Sequence, residues 1–181
     1  MTTNELAELF LKETERILCE TQSEFIPLNE EQLQHSVHIE QCNIRQIMQR
    51  LVTRNARLIA TIESVLPLAG IAGKQQEYEP GCLAKYIMKR FKFSRCIMNR
   101  KSARNNPSRE LSDGNIFEVI IHQQYQLKEL ITLCVQADMN KKVVPFRLFG
   151  RLKFSLAETL EYLFLCQRSY FRLARQLLIT Q

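Results

Sequence analysis

Apolar side chains recur at three- and four-residue steps along four long stretches of this chain, and that spacing predicts four amphipathic helices. The first covers about residues 3–23, with Leu6, Leu9, Phe10 and Ile17 on one face and Glu5, Glu8, Glu15 and Arg16 largely elsewhere. One acid, Glu13, falls inside its apolar stripe. The second, about 40–65, repeats Ile44, Ile47, Met48, Leu51, Leu58, Ile59 and Ile62. A Ser112-Asp113-Gly114-Asn115 turn or cap opens the third, about 112–139, which continues through Ile116, Val119, Ile120, Leu127, Leu130, Ile131 and Cys134. Ser155 is a good N-cap for the fourth, about 155–178, with Glu158 three residues later as its capping-box partner. No alternating strand pattern of comparable length competes. Four such helices need one another's apolar faces, so the expected fold is all-α, a four-helix bundle in a single domain over 1–181.

The connections differ in length. Pro and Gly gather at Pro27, Pro67 to Gly73, Pro80-Gly81, Pro107, Gly114 and Pro145 to Gly150. The stretch between the second and third helices, about 66–111, far exceeds an ordinary helix-to-helix loop. A long crossover of this kind allows the middle two helices to run parallel. Part of it, around Leu83 to Phe93, reads as a short helix.

Composition narrows the function classes. With 45% hydrophobic and 24% charged residues over 181 positions, the chain is ordinary globular material. Its polar, acidic N-terminus lacks the pattern of a signal peptide, and no apolar run approaches the roughly 20 residues that span a membrane. The expectation is a soluble cytoplasmic protein without a membrane partner. The six cysteines lie far apart without a C-x-x-C pair and are expected to be reduced. A net charge of +6 and a pI near 9.1 raise the question of nucleic acid. The charge has a location: Lys85, Lys89, Arg90, Lys92, Arg95, Arg100, Lys101 and Arg104 form a basic crossover patch with no acid among them. Tyr86, Phe91 and Phe93 are interleaved and either stack on the bases of a single strand or pin the crossover to the bundle. The structural alternative is favoured, because no base-reading motif accompanies the charge.

Three phrases resemble the DinB-like superfamily of four-helix bundles. Leu28-Asn29-Glu30-Glu31-Gln32-Leu33 is similar to the family's segment before its second helix. Cys42-Asn43-Ile44-Arg45-Gln46-Ile47-Met48-Gln49-Arg50-Leu51 stands where members tend to read Trp-Ser-Ile, two residues, an apolar pair, one more residue and His-Leu. Pro145-Phe146-Arg147-Leu148-Phe149-Gly150-Arg151-Leu152, followed by Ser155-Leu156-Ala157-Glu158, resembles the entry to the fourth helix, which normally carries H-x-x-x-H. The resemblance implies the fold more safely than the activity.

Many members hold a divalent metal with one His on the second helix and two on the fourth, leaving positions open for water or a thiol substrate. Laying the phrases side by side puts Arg50, Cys166 and Tyr170 at those three positions. A guanidinium cannot ligate a metal and a phenol is a poor ligand at neutral pH, so no metal and no other cofactor is expected there. Arg50 falls outside its helix's stripe and is either solvated or a replacement for the metal's charge, with Glu13 as its candidate charge partner. Cys166 is either a buried inert cysteine or, beside a cation such as Arg50 or Arg168, a reactive thiol. His35 and His38 lie in a predicted loop and His122 off its stripe, so the histidines make a weak replacement site. No phosphate-cradling loop, nucleophile motif or paired-carboxylate arrangement can be placed, so no catalytic residue is assigned. The expected role is a metal-free binding or interaction module. The alternatives are a metal-dependent hydrolase or a thiol or small-molecule transferase, and a nucleic-acid binder acting through the crossover. Relatives often pair through helix faces, so the resemblance allows a homodimer, but nothing in this chain fixes an interface or names another partner.

Overall fold

The computed structural model describes residues 1–34, 42–72, 77–93, 115–145 and 153–179, and of residues 83 and 90–93 only the backbone. Among the described residues, six α-helices and one antiparallel strand pair follow in order: α1 (Thr3–Glu20), α2 (Glu30–Gln34), α3 (Ile44–Ala69), α4 (Cys82–Phe93), α5 (Ile116–Gln136), β1 (Lys142–Pro145), β2 (Lys153–Ser155) and α6 (Leu156–Ile179). The four long helices α1, α3, α5 and α6 are those the apolar spacing predicts. They share one continuous core, with Ile17, Met48, Leu51, Ile120, Leu127, Leu163 and Phe171 at or near zero exposure.

Side-chain contacts fix the directions. Lys128 reaches Glu15 while Phe117 meets Phe25, so α1 and α5 are antiparallel. Phe10 stacks on Phe164 and Glu24 pairs with Arg175, so α1 and α6 are parallel. Gln123 bonds the carbonyl of Val52, and Ile71 beyond α3 bridges Ala137 beyond α5, so α3 and α5 run parallel, as the long crossover allows. Around the bundle, α1 and α3 each pack on both α5 and α6. The pairs α1 with α3 and α5 with α6 therefore lie across the diagonals, where among the described residues their contact is marginal.

The ends of the helices differ from the sequence expectation in instructive ways. Thr2 and Glu5 close a capping box at the start of α1. Its far end does not stop at 23 but widens into a π-helical turn, Thr21–Phe25, where Ile26 N–H bonds the carbonyl of Thr21. The wider turn brings Phe25 to zero exposure between Phe117 and Phe171. The start of α3 is set by Asn43, whose side chain accepts from Gln46 N–H. It runs past Pro67 to Ala69 rather than ending at 65. Pro67 leaves unmet only the carbonyl one turn back, at exposed Glu63 where water can serve, and Gly70 at φ 78° ends the helix. Asn115 caps α5, bonding Phe117 N–H, and α5 ends at Gln136 rather than near 139.

A second correction concerns the strands. β1 and β2 pair antiparallel, with Val144 opposite Phe154, immediately before α6. Segments of four and three residues are too short to show alternation.

Glu158 organises the start of α6. Ser155 Oγ accepts from Glu158 N–H at 3.1 Å, and Glu158 Oε2 accepts from Ser155 N–H at 2.9 Å, the capping box the sequence predicts. Its other oxygen accepts from Gly81 N–H at 2.8 Å, and Tyr78 donates its hydroxyl to Glu161 at 2.6 Å. These bonds moor the first part of the crossover to α6. From there α4 runs with Ala84, Ile87 and Met88 buried, which fits the short helix expected near 83–93.

Candidate functional site

The positions that the family resemblance marks lie where α3 and α6 meet at mid-height. Cys166 and Tyr170, one turn apart on the buried face of α6, are at 0% and 4% exposure. The guanidinium beside them belongs to Arg54, one turn beyond Arg50. Arg54 Nη1 donates to Cys166 Sγ at 3.5 Å, and its guanidinium carbon lies 5.8 Å from the centroid of the Tyr170 ring. Tyr162, one turn before Cys166, hydrogen-bonds the same sulfur. Arg50 is half-buried and lies within electrostatic reach of Tyr170. The structure thus brings together Arg54, Tyr162, Cys166 and Tyr170, with Arg50 on the approach.

Burial dominates the chemistry of these groups. It pushes the Cys166 thiol above its ordinary value, against the opposing pull of Arg54 and Tyr162, so at neutral pH the group is a protonated thiol rather than a nucleophile. Tyr162 and Tyr170 are raised for the same reason. Cys134 in α5, with burial alone acting on it, is pushed up to about 12. The three-histidine set of the DinB-like family does not fit here. A soft but protonated sulfur, a neutral phenol and a permanent cation between α3 and α6 are the wrong donors for a divalent metal.

No family model, curated protein or solved structure matches the chain.

Glu13 stands at a comparable height on α1, at 8% exposure. Arg168 Nε donates to its Oε1 at 2.6 Å and Arg16 to both of its oxygens. Desolvation works against the carboxylate, but the bonds and charge of Arg16 and Arg168 outweigh it and hold its pKa below the ordinary value. The burial of Glu13 follows the apolar stripe; the guanidiniums that meet it come from its own helix and from α6.

Four buried amides join this level of the bundle: Asn55, Gln123, Gln124 and Gln167, at 0 to 5% exposure. Each interrupts an apolar stripe at helical spacing. Asn55 lies four residues after Leu51 and four before Ile59, and Gln167 lies three after Phe164 and four before Phe171. That signal was present in the sequence, as was Arg54 one turn beyond Arg50.

The remaining positions separate. His122 is exposed, His35 and His38 lie outside the described residues, and among those described no group of three or more His, Cys, Asp or Glu converges as a metal site. Of the basic patch, Lys85 and Lys89 are exposed on α4. Only the backbone of Arg90 and Lys92 is described, and Arg95, Arg100, Lys101 and Arg104 lie outside the described residues. No helix among the described residues is long and apolar enough to cross a membrane.

Proposed function

We propose that this chain is a DinB-like four-helix bundle that works by binding rather than by metal-dependent catalysis, with the family's metal position given over to an arginine-centred polar cluster. The observation that carries the reading is the guanidinium of Arg54 against Cys166 and Tyr170. A divalent cation between those side chains would face a permanent like charge in a poorly solvated place, and it would find a thiol that burial keeps protonated. What remains is a cationic, hydrogen-bonding cluster between two helices, buried except for the half-buried Arg50 and Arg54, and suited to contact through those two rather than to activating water. Pairing of two copies through helix faces goes with this reading and is checked by sedimentation of the full chain.

Elemental mass spectrometry of untagged protein tests it, before and after equilibration with zinc, nickel and manganese. Metal far below one equivalent is expected. Near-stoichiometric metal overturns the proposal and restores the hydrolase or thiol transferase alternative, which reaction with low-molecular-weight thiols would then distinguish.

A second reading, nucleic-acid binding through the crossover, has one observation in its favour. Lys85, Tyr86 and Lys89 are exposed on α4 while its other face is buried, which places an aromatic between two cations on the outside. It requires an affinity for single strands that falls steeply with salt, and binding indifferent to salt rejects it.

A further inference from the structure

Asn55, Gln124 and Gln167 are each at 0% exposure, and neither the nitrogen nor the oxygen of any of their side chains has a hydrogen-bond partner among the described residues. The oxygen of Gln123 is in the same state, although its nitrogen bonds the Val52 carbonyl at 3.0 Å. These residues share one height. The Gln123 bond aligns α5 with α3 at Val52, and Asn55 follows Val52 by one turn. The contact of Arg54 with Cys166 aligns α3 with α6, and Gln124 and Gln167 directly follow Gln123 and Cys166.

The buried hydroxyls of the bundle solve the problem locally. Thr14, Thr21, Thr159 and Ser169 each donate to a carbonyl three or four residues back. A carboxamide has two donors and an acceptor to satisfy and gains little from that route. Leaving seven such atoms unmet would cost as much as the whole net stability of an ordinary domain. From this we infer that the middle of the bundle holds a neutral occupant, water molecules or a small uncharged solute, hydrogen-bonded by Asn55, Gln124 and Gln167. The polarity of the site selects that chemistry: three amide nitrogens donate and four amide oxygens accept, so a partner must do both. An ion would answer only half of the set. The inference stands on the amides and does not depend on the DinB-like reading.

Two measurements on the purified full chain decide it. Magnetic relaxation dispersion of isotope-labelled water detects long-lived internal molecules, and native mass spectrometry detects a mass above the 21.3 kDa chain that denaturation releases. Internal water that is lost in the double variant Gln124→Met/Gln167→Met identifies solvent as the occupant. A released mass identifies a solute. Finding neither overturns the inference. Stability gives a second, independent reading, because Gln167→Met, or Gln124→Met should the first not fold, strips a partner from an occupied site and lowers Tm by about 5 °C. If the amides are simply unmet, the same change removes an orphaned polar group and raises Tm, which also overturns the inference.

Discussion

The first turn of α6 and the middle of α6 are buried to the same degree, yet they treat polar atoms in opposite ways. At the start of the helix the buried Glu158 carboxylate takes one backbone N–H on each oxygen, and the Thr159 hydroxyl bonds the Ser155 carbonyl. About two and a half turns further on, the Gln167 amide meets nothing on either atom among the described residues. Two turns and three turns along, Cys166 and Tyr170 meet a cation from another helix. The first turn is therefore closed structure, in which the side-chain polar atoms of Ser155, Glu158 and Thr159 are answered by the fold itself. The middle is where the fold leaves capacity to spare.

The largest expected effect breaks the closed end. Glu158→Leu orphans the N–H groups of Gly81 and Ser155 and should lose about 3 kcal/mol in urea unfolding, with Glu158→Gln recovering part of it. A loss comparable to that of an exposed mutation would mean that the first turn is not held by this carboxylate. Glu13→Gln comes next, at about 1 kcal/mol near neutral pH, discounted because Arg16 and Arg168 are partly exposed and screened. Its sign is set by a folded pKa below the ordinary 4.5. The stabilisation is fully present above that ordinary value and is lost as the pH falls through the lower folded value, so chain and variant should converge in acid. Stability curves that keep a constant gap down to acid pH would show that Glu13 contributes by shape and not by charge.

Gly81→Ala probes how tightly the crossover is moored. A Cβ there would lie 3.0 Å from Lys142 Nζ and 3.1 Å from Glu158 Oε1. The lysine head can swing away, but the carboxylate is held by two backbone bonds, so a loss of about 1 kcal/mol is expected in the same unfolding assay. The smallest effect belongs to Tyr125→Ser on the outer face of α5, where the ring is 53% exposed; a change within about 0.5 kcal/mol sets the baseline for the other three.

What could be read from the sequence follows from the range over which each signal acts. The four helices were legible because the apolar series that include Ile17, Leu51, Leu127 and Leu163 each repeat with a helical period over many residues. The Ser155 and Glu158 box was legible because its two partners are local. The π-helical turn was not, since it depends on Phe25 finding Phe117 and Phe171 on two other helices. Nor were the two short strands, whose pairing joins segments separated in the chain by residues 146–152. At the site, aligning phrases pointed to Arg50, whereas the geometry of α3 presents Arg54 to Cys166; the two differ by one helical turn, which a motif comparison cannot resolve. The amides were visible as polar interruptions in apolar stripes, but their arrival at one height required the relative shift of three helices.

The diagonal placement of α1 against α3, and of α5 against α6, has a consequence for the integrity of the chain. Because α1 and α3 find their partners in α5 and α6, among the described residues neither half of the polypeptide packs two of its long helices closely together. A single cut between α4 and α5 should leave two fragments that stay together as one particle, that are each unstructured when purified apart, and that regain structure only on mixing. The connection between them sets the speed of assembly by raising local concentration, while the fold itself is a complementation between two halves.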